Sequence, residues 1–320
     1  MEKTRSEMKP AAETGARPDR EEKHDVSLHE PSENKETVRL TDPDRKSAVF
    51  LDLDGTLWNR EQVPASAWQA IEKARKAGHL VFVNTGRTPD AIPDFLWQKH
   101  LDGYCLSTGM SLFDENGKQI ASYVMDPEQA GLLTAWLLEN HSGFALETDH
   151  MAYDDPKYAF RRAVFFEKDG RKDFMHRMRI SDMPEEAWSH LVKIIFDSER
   201  AFDLGRAKSL GFDVLLYRNS FNAEGTNSGI FRGELTDLHR DKAKAMRDIL
   251  HAQGRDPKEW RLVAAGDSSN DLPMLEAADV GVAMGNGSAA VKAAADLVTD
   301  SLEEDGLAHA FERLGLLEEQ

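Results

Sequence analysis

Short apolar runs alternate with amphipathic stretches from residue 46 onward, and this alternation predicts the architecture. Residues 48–51 (Ala-Val-Phe-Leu) form an apolar run of strand length. Helical periodicity follows over residues 65–77, with Pro64 near its start and Gly78 after its end. Residues 80–83 predict a second strand, Ala91, Phe95 and Leu96 a helix, and residues 104–106 a third strand. Farther on, residues 241–253 read as a helix, and residues 262–265 and 280–283 as strands. Fully apolar strands between helices predict an α/β fold with a doubly wound parallel sheet covered on both faces. In such a sheet the chemistry belongs at the carboxyl ends of the strands.

About 155 residues separate Arg87 from Lys242, far more than one strand–helix unit requires. That span carries its own signals at 128–139, 161–166, 184–196 and 211–217. The expected organisation is a core domain of residues 46–121 and 236–320, with an inserted α+β domain at 122–235. Trp136, Trp188 and the Phe165-Phe166 pair are expected in the core of the insertion. Residues 1–45 contain no Phe, Trp or Tyr and few aliphatics, so they are expected to be a disordered tail.

Composition narrows the function. A net charge of −17 argues against a nucleic-acid partner, because a phosphate backbone demands a basic face. The one cysteine, Cys105, forbids an internal disulfide and is expected to fill the core. No apolar run reaches the roughly 18 residues of a membrane span, and the start Met1-Glu2-Lys3-Thr4-Arg5 lacks a signal-peptide stretch. The cytoplasm is the expected compartment. The sequence leaves the oligomeric state open.

The chemistry concentrates after two of the strands. Asp52-Leu53-Asp54-Gly55-Thr56 places two carboxylates two residues apart at the end of a buried run. They repel unless a cation lies between them or they divide the work of acid and nucleophile. Alone, the segment also fits a solvated turn. A second acidic segment, Gly266-Asp267-Ser268-Ser269-Asn270-Asp271, follows the strand at 262–265 and opens a helix with Pro273 in its first turn. Asp267 falls at the strand end, and Asn270 and Asp271 at the helix entrance. Asp52, Asp54, Asp267 and Asp271 converging on one crevice call for a hard divalent cation, and all-oxygen ligation suits Mg²⁺.

Taken in order, Asp52-x-Asp54-Gly55-Thr56, Val83-Asn84-Thr85-Gly86-Arg87, Lys242, and Gly266-Asp267-Ser268-Ser269-Asn270-Asp271 resemble the four motifs of the haloacid dehalogenase (HAD) superfamily. The Cof-like phosphatase branch is the closest match. Residues 278–286, 296–300 and 304–308 continue the likeness, which covers roughly 46–121 and 236–320. Two departures stand out. The third motif reads Asp241-Lys242-Ala243-Lys244, where Lys-Gly is usual, leaving Lys244 as a rival to Lys242. An Asn-Gly-Ala segment of the family is replaced by Thr108-Gly109-Met110.

The resemblance implies a Rossmann-like HAD core whose insertion is a C2-type cap that covers the site and selects the substrate. It implies Asp52 as the nucleophile that forms an aspartyl phosphate, and Asp54 as acid and then base. Thr85 and Gly86 are expected to hold the phosphoryl group, with Lys242 and Asn270 as further phosphate contacts. Asp52, Asp54 (through its carbonyl), Asp267 and Asp271 are expected to hold Mg²⁺. Arg87 is expected only to secure its loop, and Arg218, Asn219 and Asn222 are candidate cap contacts. The expected function is a Mg²⁺-dependent phosphatase of small phosphorylated metabolites such as sugar phosphates, with no nucleic-acid or membrane partner. A phosphomutase and a non-catalytic phosphometabolite-binding protein are the alternatives.

Overall fold

The computed structural model describes residues 40–59, 62–169, 177–199, 203–217 and 231–317. In chain order its strands are β1 (Ser47–Leu51), β2 (Leu80–Asn84), β3 (Gly103–Leu106), β4 (Ser111–Phe113), β5 (Gln119–Ser122), β6 (Gly143–Thr148) and β7 (Ala152–Asp154). They continue as β8 (Arg177–Arg179), β9 (Leu191–Ser198), β10 (Phe212–Tyr217), β11 (Phe231–Asp237), β12 (Arg261–Gly266), β13 (Val280–Ala283) and β14 (Leu297–Val298). Eight strands form one sheet in the order β14-β13-β12-β1-β2-β3-β4-β5, and six form a second in the order β10-β11-β9-β6-β7-β8.

The first sheet is parallel from β14 through β3. Alternation along its central strands explains why both faces are covered. Val49, Leu51, Val81 and Val83 point to the side packed by helices Ala65–Lys76 and Gly306–Arg313. Ala48, Phe50, Phe82 and Ala264 point to the side packed by helices Lys242–Ala252 and Leu272–Ala277. Phe50 and Phe82 stack there with ring centroids 4.8 Å apart, and Cys105 is buried among the same residues. Each central strand therefore needs apolar residues at every position, as residues 48–51 supply.

Three features differ from the sequence-based expectation. The parallel sheet gains an antiparallel edge, β3-β4-β5, because only Ser107–Met110 join β3 to β4 and so short a link cannot make a parallel crossover. The helix expected around Ala91–Leu96 is broken into a 3-10 turn, Pro89–Ala91, and one helical turn, Asp94–Trp97. Pro93 causes the break, since proline disfavours helical geometry at Ile92 before it. Finally, residues 40–45 of the expected tail lie on the fold. Leu40 packs against the core, and Arg45 Nη2 donates to the Trp260 carbonyl at 2.6 Å. Residues 1–39 lie outside the described residues, as do Arg218, Asn219, Asn222 and the side chains of Phe165 and Phe166.

The second sheet is antiparallel except between β7 and β8. One of its faces buries Phe144, Leu146, Ile194, Phe196 and Leu235 with helix residues Leu133 and Leu137. Trp136 and Trp188 pack at the margin of this core. Among the described residues, no helix is long and apolar enough to cross a membrane.

Truncating the stacked pair tests this packing. Phe50→Ala leaves a cavity in a face with no room to collapse and is expected to cost about 3–5 kcal/mol in urea unfolding. Phe160→Ala, at a side chain 70% exposed, is expected to stay within about 0.5 kcal/mol.

Candidate active site

Four chain segments meet at the carboxyl ends of β1, β2 and β12. Asp52 follows β1, and its amide N–H continues the sheet by donating to the Ala265 carbonyl at 2.9 Å. Gly55 then turns the chain with φ of 86°, and a Cβ there would lie 2.6 Å from Asp267 Oδ2. Only glycine lets the β1 loop approach Asp267 this closely. Gly266 does the same for the β12 loop, since its Cβ would fall 2.5 Å from the Cγ of Asp271. Lys242 enters from the first turn of helix Lys242–Ala252, where Asp241 caps the helix by accepting from the Lys244 N–H. Asn84 Nδ2 donates to the Lys242 carbonyl at 2.9 Å and ties that turn to the end of β2.

Lys242 is fully buried, and its Nζ lies 2.6 Å from both Asp52 Oδ1 and Asp271 Oδ1. Lys244 points outward, donating to the His239 carbonyl at 2.8 Å, so Lys242 is the lysine that reaches the crevice. Asp271 is saturated. Its Oδ1 takes Lys242, and its Oδ2 accepts from the N–H groups of Asp267 at 3.0 Å and Ser268 at 2.9 Å. Asp267 differs, because its Oδ1 is buried and has no hydrogen-bond partner.

The charges are unbalanced. Burial, then the neighbouring Asp271, raises the Asp52 pKa above its ordinary value, against the pull of Lys242. Burial and Asp271 likewise push Asp267 up to about 6. Burial disfavours the Lys242 ammonium, yet Asp271 and Asp52 hold its pKa above the ordinary lysine value. Oxygen atoms of Asp52, Asp267 and Asp271 lie within 4.8 Å of one another. An all-carboxylate donor set with an orphaned buried oxygen fits a hard divalent cation.

The remaining expected residues line the same crevice with one reorientation. Thr85 is buried, and its hydroxyl accepts from the Arg87 N–H at 3.3 Å. Asn270 Nδ2 lies 3.7 Å from where a Gly86 Cβ would be, so the β2 and β12 loops face each other. The Asp54 carboxylate turns to Arg87, which grips it with Nε at 2.6 Å and Nη2 at 2.9 Å. Arg87 also donates to the Ala91 carbonyl at 2.8 Å, the loop-securing role expected of it. Its grip on Asp54 was missed from sequence, and the one available signal is a lone Arg directly after Thr85-Gly86. Ser107 and Thr108, in the segment that departs from the family pattern, both adopt left-handed φ, 53° and 59°. Thr108 Oγ1 sits 3.6 Å from the Gly86 Cβ position, so this strained turn borders the site.

Residues of the second sheet also reach the Gly86 loop. Lys193, from β9, donates its Nζ to the Gly86 carbonyl at 2.8 Å. It pairs with Glu147 at 3.1 Å and Glu234 at 3.5 Å, and Glu147 in turn pairs with Arg177 at 2.9 Å. Burial would raise the Glu147 pKa, but Lys193 and Arg177 hold it below the usual range. Sequence reading missed this set, because charged residues inside strands look like ordinary solvated positions.

Residues 49–311 match the family model of the haloacid dehalogenase-like hydrolases, and the chain belongs to that family. It is 28% identical over 271 residues to the pyridoxal phosphate phosphatase YbhA of Escherichia coli, covering 81% of this chain and 95% of that protein. It is 27% identical over 281 residues to the 5-amino-6-(5-phospho-D-ribitylamino)uracil phosphatase YcsE of Bacillus subtilis, covering 86% and 98%. Its fold is similar to that of the HAD subclass IIB sugar phosphatase BT4131, with a TM-score of 0.66, 23% identity, and coverage of 85% and 100%.

The raised pKa of Asp267 has a testable sign. Between the unfolded value of 3.8 and about 6 the folded protein binds the proton more tightly, so in chelator this group destabilises the fold as pH rises through that window. Asp267→Asn removes the repulsion. At neutral pH in chelator, scanning calorimetry is expected to find this variant with a higher Tm than the parent and without the parent's gain on adding Mg²⁺.

Proposed function

We propose that this HAD-type phosphatase of the Cof-like branch hydrolyses small, polar phosphate monoesters, sugar phosphates or related metabolites, with Mg²⁺ and through an aspartyl phosphate on Asp52. The observation that carries the reading is the buried Lys242 bridging Asp52 and Asp271 beside the unpartnered oxygen of Asp267. The named activities of YbhA, YcsE and BT4131 agree in using small phosphorylated substrates.

In this reading Asp52 and Asp267 hold the cation directly, helped by the Asp54 carbonyl. Asp271, whose oxygens are already engaged, positions Lys242 and the β12 loop. When bound, Mg²⁺ neutralises the repulsion between the carboxylates and the substrate phosphate and holds the line of attack. Asp52 attacks phosphorus, and the bond to the leaving oxygen breaks as Asp54 supplies its proton. Asp54 then takes a proton from the water that cleaves the aspartyl phosphate. Lys242, the Thr85 hydroxyl, the Gly86 N–H and the Asn270 amide stabilise the charge on the transferring oxygens. Arg87 must loosen its fork on Asp54 for either proton transfer, and an arriving phosphate is the natural competitor for a guanidinium.

The second sheet with helix Pro127–Glu139 serves as the C2-type cap, inserted at about 122–235. Its contacts with the leaving group are assigned to the face carrying Lys193, Glu147, Arg177 and Glu234. The hydrogen bond from Lys193 to the Gly86 carbonyl supports this assignment by linking that face to the loop proposed to hold the phosphoryl group.

A panel of phosphorylated metabolites assayed with Mg²⁺ and with chelator tests the function. Turnover of none of them, or full turnover in chelator, overturns it. Asp52→Asn is expected to abolish turnover on every ester with its Tm preserved, and Asp54→Asn to slow it about 10²–10⁴-fold. Glu234→Gln is expected to change the ranking of esters by kcat/KM. A uniform loss would make the cap face a lid and not a selector.

A further inference from the structure

A second cluster of metal-ligand side chains lies apart from the catalytic crevice. Asp149 and His150 occupy the turn between β6 and β7, and His190 ends the 3-10 segment Glu185–His190 that leads into β9. His150 Nε2 and His190 Nδ1 each lie 3.3 Å from the same oxygen, Asp149 Oδ1. That spacing is longer than the usual N–H···O hydrogen bond. It equals the edge of a tetrahedron with metal–ligand bonds near 2.0–2.1 Å, about 3.3–3.4 Å.

An independent observation points the same way. Asp149 is only 3% exposed, and its Oδ1 is buried with no hydrogen-bond partner among the described residues. A buried carboxylate oxygen without a hydrogen bond is costly unless a cation meets it, whether a protonated one of these two imidazoles or a metal ion held between them. The other oxygen is held in place: Oδ2 accepts from Gln119 Nε2 at 3.2 Å and Ser122 Oγ at 3.1 Å, both on β5. The Asp149 N–H donates to the His190 carbonyl at 3.1 Å, which fixes one ligand segment to the other. Such outer contacts orient a ligating carboxylate. The two imidazoles are exposed, at 67% and 47%, so a fourth position opens to water.

The geometry points to a divalent transition-metal site formed by Asp149, His150 and His190, with Zn²⁺ as its ion. Two imidazole nitrogens and one carboxylate oxygen suit Zn²⁺, whereas Mg²⁺ selects oxygen donors. None of the three residues belongs to the catalytic cluster. Their carboxylate is held by β5 of the first sheet while all three lie in loops of the second, so the ion braces the junction between the two sheets.

The test uses full-length protein without a polyhistidine tag, stripped with chelator, dialysed, and placed in excess Mg²⁺ to occupy the acidic crevice. Titration with Zn²⁺ against a chromophoric chelator is expected to find one tightly held equivalent. His150→Ala and His190→Ala are each expected to weaken that binding at least about tenfold. The double variant loses it and keeps its Mg²⁺-dependent turnover. Co²⁺ gives a second readout, a strong visible absorption of low coordination number that the double variant lacks. If the parent protein holds no Zn²⁺ under these conditions, or the double variant retains the equivalent, the histidines merely pair with Asp149 and the site is overturned.

Discussion

The contact on which the rest depends is the buried ammonium of Lys242 between Asp52 and Asp271. A lysine with no exposure is costly to desolvate, and it is kept charged only because two carboxylates lie 2.6 Å away. Asp52 and Asp271 in turn share a crevice with Asp267, a concentration of negative charge that the core would not tolerate without that ammonium. The surroundings serve this contact. Asn84 holds the carbonyl of Lys242, Asp241 caps its helix, and two backbone N–H groups fix Asp271. Lys242 neutralises only part of the charge. What remains, centred on the unpartnered oxygen of Asp267, is a demand that a divalent cation would meet.

That demand also separates two acidic residues that look alike in sequence. Asp267 and Asp271 both follow β12 and both fit a ligand role by spacing. Asp271 is already engaged by Lys242 and by the amides of its own loop, and in the proposed site it acts as a structural anion at a helix entrance. Asp267 has spare coordination capacity. The close approach of Gly55 to Asp267, and of Gly266 to Asp271, leaves no volume for a side chain between these loops.

The central strands and the catalytic loops were legible because their signals are local. An all-apolar run of strand length, such as residues 48–51 between a charged stretch and Asp-Gly, reads as a strand buried on both faces, and the loop after it carries its chemistry within five residues. Asp52 and Asp267 were nameable from such local signals, whereas Thr85 and Lys242 stood out only through the resemblance to the HAD motifs. What stayed hidden depends on partners distant in the chain. The fork of Arg87 on Asp54 joins residues 33 positions apart, and the link from Lys193 to Gly86 spans 107. The edge strands β4 and β5 are too short for a period to register. The break before Asp94 was local, but the helical spacing of Ala91, Phe95 and Leu96 outweighed Pro93 in the reading.

The link between Lys193 and Gly86 gives the architecture a further consequence. In the proposed reaction the Gly86 loop cradles the phosphoryl group, and the face carrying Lys193 meets the leaving group. A displacement of the second sheet would therefore pull on the Gly86 loop itself. Glu147 and Glu234 hold the Lys193 ammonium, and Arg177 holds Glu147, so the pull is shared by a charge network and not by one flexible side chain. On the other side of the loop, Ser107 and Thr108 stay in left-handed geometry, a conformation that persists only where its neighbours enforce it. The cradle is thus clamped between a strained turn of the first sheet and an ion-paired lysine of the second. If the proposed reaction holds, selection of the ester and stabilisation of its phosphoryl group both act through this one loop.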